Sequence, residues 1–191
     1  MRKPSIILVT GLPGAGKTTL GQHLAHRYQL PFLYKDGIKE TLYDALGEVS
    51  YEWNRHLGHA SMRLLYHMVE CLLVAGQSAV VEANFDPQLA TPVWLQLKQQ
   101  YEFTSVQIQC HAEGETLLRR FLARTQSGQR HPGHADDRYA EQHTATLLRG
   151  RTDHLAIGGS IIELDTTDFT QVNYPQLYEA IEAALELSRR R

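Results

Sequence analysis

At 191 residues and a formal net charge of −2, the chain is long enough for one compact domain with a real core and lacks the global basic field that tracks nucleic acid. Apolar residues make up 42% and charged residues 21%, an ordinary soluble composition, and no apolar run approaches the ~18 residues a membrane span needs. The two cysteines, Cys71 and Cys110, give no disulfide framework and fit a reducing, cytoplasmic setting.

Met1-Arg2-Lys3-Pro4 leads straight into an apolar run without a signal-peptide pattern. That run, within Ser5 to Thr10, reads as a first buried strand. Lys17 to Tyr28 reads as a helix with Leu20, Leu24 and Ala25 near one face. Pro31 to Lys35 reads as a short second strand ending at Asp36, and Gly37 to Leu46 as a helix closed by Gly47. Leucines recur near the helical period from Tyr51 to Ala75, and Gly76 stops that pattern. Ser78 to Glu82 is a third strand, and Pro87 opens a helix to Gln100. Val106 to Cys110 is a fourth strand, and Glu113 to Thr125 a helix rich in Leu and Arg. Ser127 to Asp137 is rich in Gly, His and Pro and reads as a loop, followed by a helix from Asp137 to Arg149. Ile161 to Asp165 is a fifth strand, and Pro175 to Ser188 the last helix. Strands alternating with helices predict a mostly parallel sheet covered on both faces, with ligands beyond the carboxyl ends of the strands.

Between the first strand and first helix lies Gly11-Leu12-Pro13-Gly14-Ala15-Gly16-Lys17-Thr18, which fits G-x-x-x-x-G-K-[ST] without a mismatch. Gly11, Gly14 and Gly16 leave the backbone free to turn and to approach a phosphate closely. Free N–H groups at the start of the helix, Thr19 following the motif, face an anion placed there. Lys17 brings a point charge, and the Thr18 hydroxyl suits Mg²⁺. The motif predicts binding of ATP or GTP with Mg²⁺. No N/T-K-x-D guanine signature is present, so ATP is preferred.

With this motif, an Asp after the second strand, an acidic residue closing the third and arginines after the fourth, nearly the whole chain resembles the small P-loop kinases. These include polynucleotide, gluconate and shikimate kinases, chloramphenicol phosphotransferase and zeta-toxin-like kinases. The resemblance implies a P-loop NTPase fold, a three-layer α/β/α arrangement with a five-stranded parallel sheet in the order 2-3-1-4-5. It also implies a single kinase-like domain over residues 1–191 with a lid segment around 113–140.

The same resemblance assigns roles. Asp36-Gly37-Ile38-Lys39 resembles an Asp-x-x-Arg/Lys element in which Asp contacts the acceptor hydroxyl, so Asp36 is the candidate general base. Its other reading is an N-cap for the following helix. Lys39, one turn on, faces the acceptor or solvent. Glu82 looks like the Walker B acid, a metal-site partner of Thr18, and Asn84 is a weaker candidate. Arg120 and Arg124 share a helix face, and the resemblance has them clamp phosphates from the lid, with Arg130 next. Asp165, in Leu164-Asp165-Thr166-Thr167, resembles the segment lining the adenine. His131 and His134, with Asp136 and Asp137 nearby, read as a lid or acceptor contact or as a plain surface loop rather than a zinc site. His67, Cys71 and Cys110 read as packing. The acceptor pocket is expected from the Asp36–Tyr51 region, the start of the long helix and the residues after Glu82, where Tyr34, Tyr43, Tyr51, Trp53 and Phe85 suggest an aromatic wall or simply core.

The resulting expectation is transfer of the ATP γ-phosphate to a hydroxyl of a small molecule. A kinase of nucleic-acid ends or of the zeta-toxin kind is the alternative, weakened by the near-neutral charge. An ATP-driven switch that needs no acceptor is a further one.

Overall fold

The computed structural model describes residues 3–47, 50–128, 130–134 and 144–187. Six consecutive residues of the first strand are buried, and the reason is topological. β1 (Ser5–Gly11) is the centre of a five-stranded sheet and pairs on both sides. Around it lie α1 (Lys17–Tyr28), β2 (Phe32–Tyr34), α2 (Lys35–Leu46), α3 (Tyr51–Val74), β3 (Ala79–Glu82), α4 (Pro87–Gln100), β4 (Thr104–His111), α5 (Gly114–Gln126), β5 (Ser160–Asp165) and α6 (Tyr174–Leu187). The sheet order is β2-β3-β1-β4-β5, and the four pairings between neighbouring strands are all parallel. This is the order the kinase resemblance implies.

Side-chain alternation along β1 divides the interior. Ile6 and Leu8 join Leu65, Val69 and Trp94 of α3 and α4 on one face. Ile7 and Val9 join Leu20, Leu24, Leu117, Phe121 and Ile181 of α1, α5 and α6 on the other. Burial on both faces explains why β1 and β3 read as unbroken apolar runs rather than as alternating ones. Leu155 N donates to Gln107 Oε1 (2.8 Å), so one of the buried glutamines of β4 ties a connecting loop to the sheet.

Most predicted elements lie within a residue or two of those observed. The second helix is the informative departure. It begins at Lys35, not Gly37, and its N-cap position is held by Tyr34, with no side-chain cap bond. Asp36 is therefore not the N-cap but a residue of the first turn, where a carboxylate complements the helix dipole. The predicted helix over 137–149 is described only from residue 144, with helical backbone at 144–147. Asp136, Asp137 and the rest of that reading lie outside the described residues, as do Ser188 and the terminal arginines. Among the described residues no helix is long and apolar enough to cross a membrane.

Candidate active site

The register of the sheet brings the predicted residues together. Glu82, the last residue of β3, lies opposite Val9 of β1 and Tyr34 of β2. The glycine loop follows β1, and Asp36 stands two residues past Tyr34. All three features therefore emerge at the carboxyl ends of adjacent strands and line one cleft of 880 Å³.

The loop's backbone requires its glycines. Gly11 has φ +141° and a Cβ there would meet Cys110 O at 2.2 Å. Gly16 has φ +74°, occupies the N-cap of α1 without a side-chain cap bond, and the first turn of α1 holds no acid. The N–H groups at that helix end thus face neither a capping side chain nor a carboxylate of their own turn, a setting that fits a phosphate. Lys17 Nζ donates to Leu12 O (3.0 Å), which curls the side chain back over the loop. Leu12, Pro13, Ala15 and Thr19 belong to the same segment; Leu12 and Ala15 are buried and fix it to the core.

Thr18 Oγ1 donates to Glu82 Oε2 (2.9 Å). Glu82 is only 4% exposed, and burial pushes its carboxyl up against the opposing pull of Lys17 and the Thr18 hydroxyl. A hydroxyl and a carboxylate are hard oxygen donors of the kind Mg²⁺ takes, so the residues present fit that ion.

Asp36 sits among cations. Lys35 Nζ donates to Oδ1 (3.2 Å) and Arg130 Nη2 to Oδ2 (3.2 Å), while His134 Nδ1 is 3.9 Å away. Burial alone would raise the Asp36 carboxyl, but Lys35, His134 and Arg130 together outweigh it and hold the group well below the usual carboxylate range. His134 also donates from Nε2 to Glu40 (2.7 Å), and His131 from Nε2 to Asp44 (3.0 Å). The segment 130–134 is thereby fastened to α2 at three carboxylates.

The predicted arginines divide. Arg124 and Arg130 line the cleft. Arg120 does not. Its Nη1 and Nη2 donate to Thr166 O and Thr167 O, both at 2.9 Å, and its guanidinium lies 4.0 Å over the Phe169 ring. Its geometry joins α5 to the loop after β5 rather than aiming at the cleft. Asp165 Oδ1 accepts from Thr167 N (2.8 Å) and shapes that same turn. Asn84 and Lys39 line the cleft, and Lys39 is 7% exposed, not solvated. Of the supposed aromatic wall, Tyr34 lines the cleft and Phe85 is core. Tyr43 packs on His131, Trp53 is 61% exposed and outside the cleft lining, and the Tyr51 side chain lies outside the described residues. His67 and Cys71, read as buried packing, are exposed and only 3.8 Å apart across the helix surface. Cys110 is core as expected, its thiol pushed up to about 12 chiefly by burial.

The start of the long helix lines the cleft as expected, but the residues that do so, Asn54, Arg55, His59, Arg63 and Tyr66, were not singled out in the sequence. The signal was present: Arg55, His59 and Arg63 recur at intervals of four.

Residues 6–150 match the family model described as an AAA domain. The chain belongs to that AAA domain family. A crystal structure of a "putative kinase" from Chloroflexus aurantiacus J-10-fl is 36% identical, with a TM-score of 0.84, over 97% of this chain and 98% of that one. With the family match, it bears out the P-loop kinase family that the sequence resembles. A gluconokinase from Sinorhizobium meliloti 1021 has a TM-score of 0.55 at 14% identity, over 99% of this chain and 98% of that one, a likeness of fold. A shikimate kinase of Paracidovorax citrulli (strain AAC00-1) is 51% identical over 41 residues, 21% of this chain and 22% of that protein's length.

Proposed function

We propose that this AAA domain protein is an ATP-dependent kinase that moves the γ-phosphoryl group to a hydroxyl of a small-molecule acceptor. One observation carries the reading: the glycine loop and Asp36 open onto the same cleft, with room beyond Asp36 for a guest molecule. The family match and the relatives described as kinases support it.

Bound ATP with Mg²⁺ supplies the phosphoryl group and part of its charge neutralisation. Residues 11–19 and the N–H groups of α1 hold the phosphates. Lys17 would neutralise the β/γ oxygens, and Thr18 with Glu82 would hold the metal. Arg124 and Arg130 face charge developing on the transferred group. Arg120 acts one step back, by holding the 166–169 loop. Asp36 orients the acceptor hydroxyl and takes its proton. An acid this strong is a weak base, but proton loss comes late in a loose phosphoryl-transfer transition state. Closure of the lid segment over Arg124, Arg130 and His134 keeps water from the phosphoryl group. A cytoplasmic setting accords with ATP as substrate.

Two variants test this. Lys17→Ala should abolish turnover while the fold survives, read by ADP release and circular dichroism; ATP consumption near the parent's rate would refute the assignment. Asp36→Asn should hold ATP affinity within a few-fold while transfer falls by ~10² or more. Loss of ATP binding in that variant would move Asp36 to the nucleotide side.

A further inference from the structure

The far wall of the cleft is built from α3, 24 residues long. Asn54, Gly58, Met62 and Tyr66 form one row at helical spacing along the cleft, and Arg55, His59 and Arg63 form the adjoining row. The basic row repeats every four residues, so its side chains share a face and climb the helix over about 12 Å.

A basic row on a helix is usually balanced by acids one turn away. This one is not. α3 carries two acids, Glu52 and Glu70. Glu70 accepts from Tyr101 (3.0 Å), and among the described residues Glu52 makes no ion pair with Arg55. The cleft's own carboxylates are engaged elsewhere. Asp36 meets Lys35 and Arg130, Glu40 meets His134, Glu82 meets Thr18, and Asp86 accepts from Gln88 N at the start of α4. Arg55 and Arg63 have no ion-pair partner among the described residues. Among the described residues, this wall of the cleft is therefore left with cations that no carboxylate balances.

We propose that Arg55, His59 and Arg63 form an anion subsite, which takes a carboxylate or phosphomonoester carried by the hydroxylated acceptor. The proposal rests on the kinase reading for its second half: the hydroxyl meets Asp36 while the charged end meets α3. Neighbouring members of the row are about 6 Å apart along the axis, so a single anionic group reaches two of them. A planar guanidinium suits either group by paired N–H donors. Held at its charged end, the acceptor has one end fixed and the other presented to the phosphoryl group, which is the positioning that transfer requires.

The test uses three polyols that differ in charge: D-glucitol, D-gluconate and D-glucitol 6-phosphate. Each is titrated by calorimetry into the full chain with ADP and Mg²⁺ saturating. At least one anionic probe should bind about ten-fold more tightly than glucitol. That preference should fall below about three-fold in Arg55→Ala/Arg63→Ala and return in part with lysine at both positions. Unchanged ADP affinity in the double variant shows that its fold is intact. Preference for gluconate or for the phosphate identifies which anion the row takes. Equal affinities, no binding of either anion, or a preference that survives the double alanine overturns the subsite. ADP release from ATP with the same probes reads the kinase assignment separately: tight, arginine-dependent binding without stimulated release counts against phosphotransfer and leaves the subsite standing.

Discussion

Gly16 touches three parts of the site at once. It turns the loop with φ +74°, opens α1, and lies so close to Phe169 that a Cβ would sit 2.5 Å from the ring. Gly16→Ala should therefore cost about 1–2 kcal/mol in urea unfolding from the left-handed backbone alone, and should push Phe169 outward, read as increased solvent quenching or exchange at 169–171. Arg120 lays its guanidinium over that same ring. Lysine there keeps the charge but loses the fork that reaches two carbonyls. Arg120→Lys should raise KM for ATP by about ten-fold and leave kcat within a few-fold, the pattern of a residue that shapes a binding loop. A fall in kcat alone would return Arg120 to the phosphate. Sequence could place Arg120 on the right helix but could not show which carbonyls its guanidinium meets. Arg120 and Arg124 share a face in a helical projection, yet only the tertiary position of the loop after β5 decides which of them it captures.

At the scale of elements, the segment 130–134 and α2 are held by three side-chain contacts, to Asp36, Glu40 and Asp44. His134 is the pH-sensitive member. Burial lowers its imidazole below the ordinary value, against the opposite pull of Asp36 and Glu40, while Arg130 adds to the lowering. The folded group thus releases its proton at a lower pH than the unfolded one. Stability that depends on neutral His134 is complete above about pH 6.5 and is lost as the pH falls below it. The advantage of the parent over His134→Gln, measured by urea unfolding, should shrink between about pH 7.5 and 5.5; an advantage that grows on acidification would reverse the sign. The glycine, histidine and proline content of this segment announced a loop, and a lid, an acceptor contact and a plain surface loop were the readings left open. What no local pattern could show is that its partners lie some 90 residues earlier, on α2. The same limit shifted the start of α2: Lys35 and Asp36 read as the end of a strand because Tyr34, the cap position, carries no capping signal.

For the molecule as a whole, the alternation along β1 builds two apolar layers that share one sheet, and the site lies at its carboxyl edge. A parallel sheet covered on both faces was therefore legible from the alternation of elements, its strand order only from the family resemblance, and the nucleotide loop from a single motif. The individual residues of the acceptor wall were not, because a long helix advertises its buried stripe and hides which polar row fronts a cavity. Coupling between core and site predicts a linked stability. ATP with Mg²⁺ at a hundred times its dissociation constant should stabilise the parent by about 2.7 kcal/mol and leave Lys17→Ala nearly unmoved, read as the midpoint shift in thermal unfolding.

The ion pair between Arg130 and Asp36 carries a last implication for economy. On the proposed reading, the group that would deprotonate an incoming alcohol is, at rest, already embraced by the chain's own guanidinium. A stray water entering a nucleotide-loaded but otherwise vacant site finds no idle carboxylate to activate it. Such a protein should tick over slowly when starved of its partner molecule, and quicken only when a guest with a better claim on Asp36 dislodges the arginine and sends it toward the phosphates.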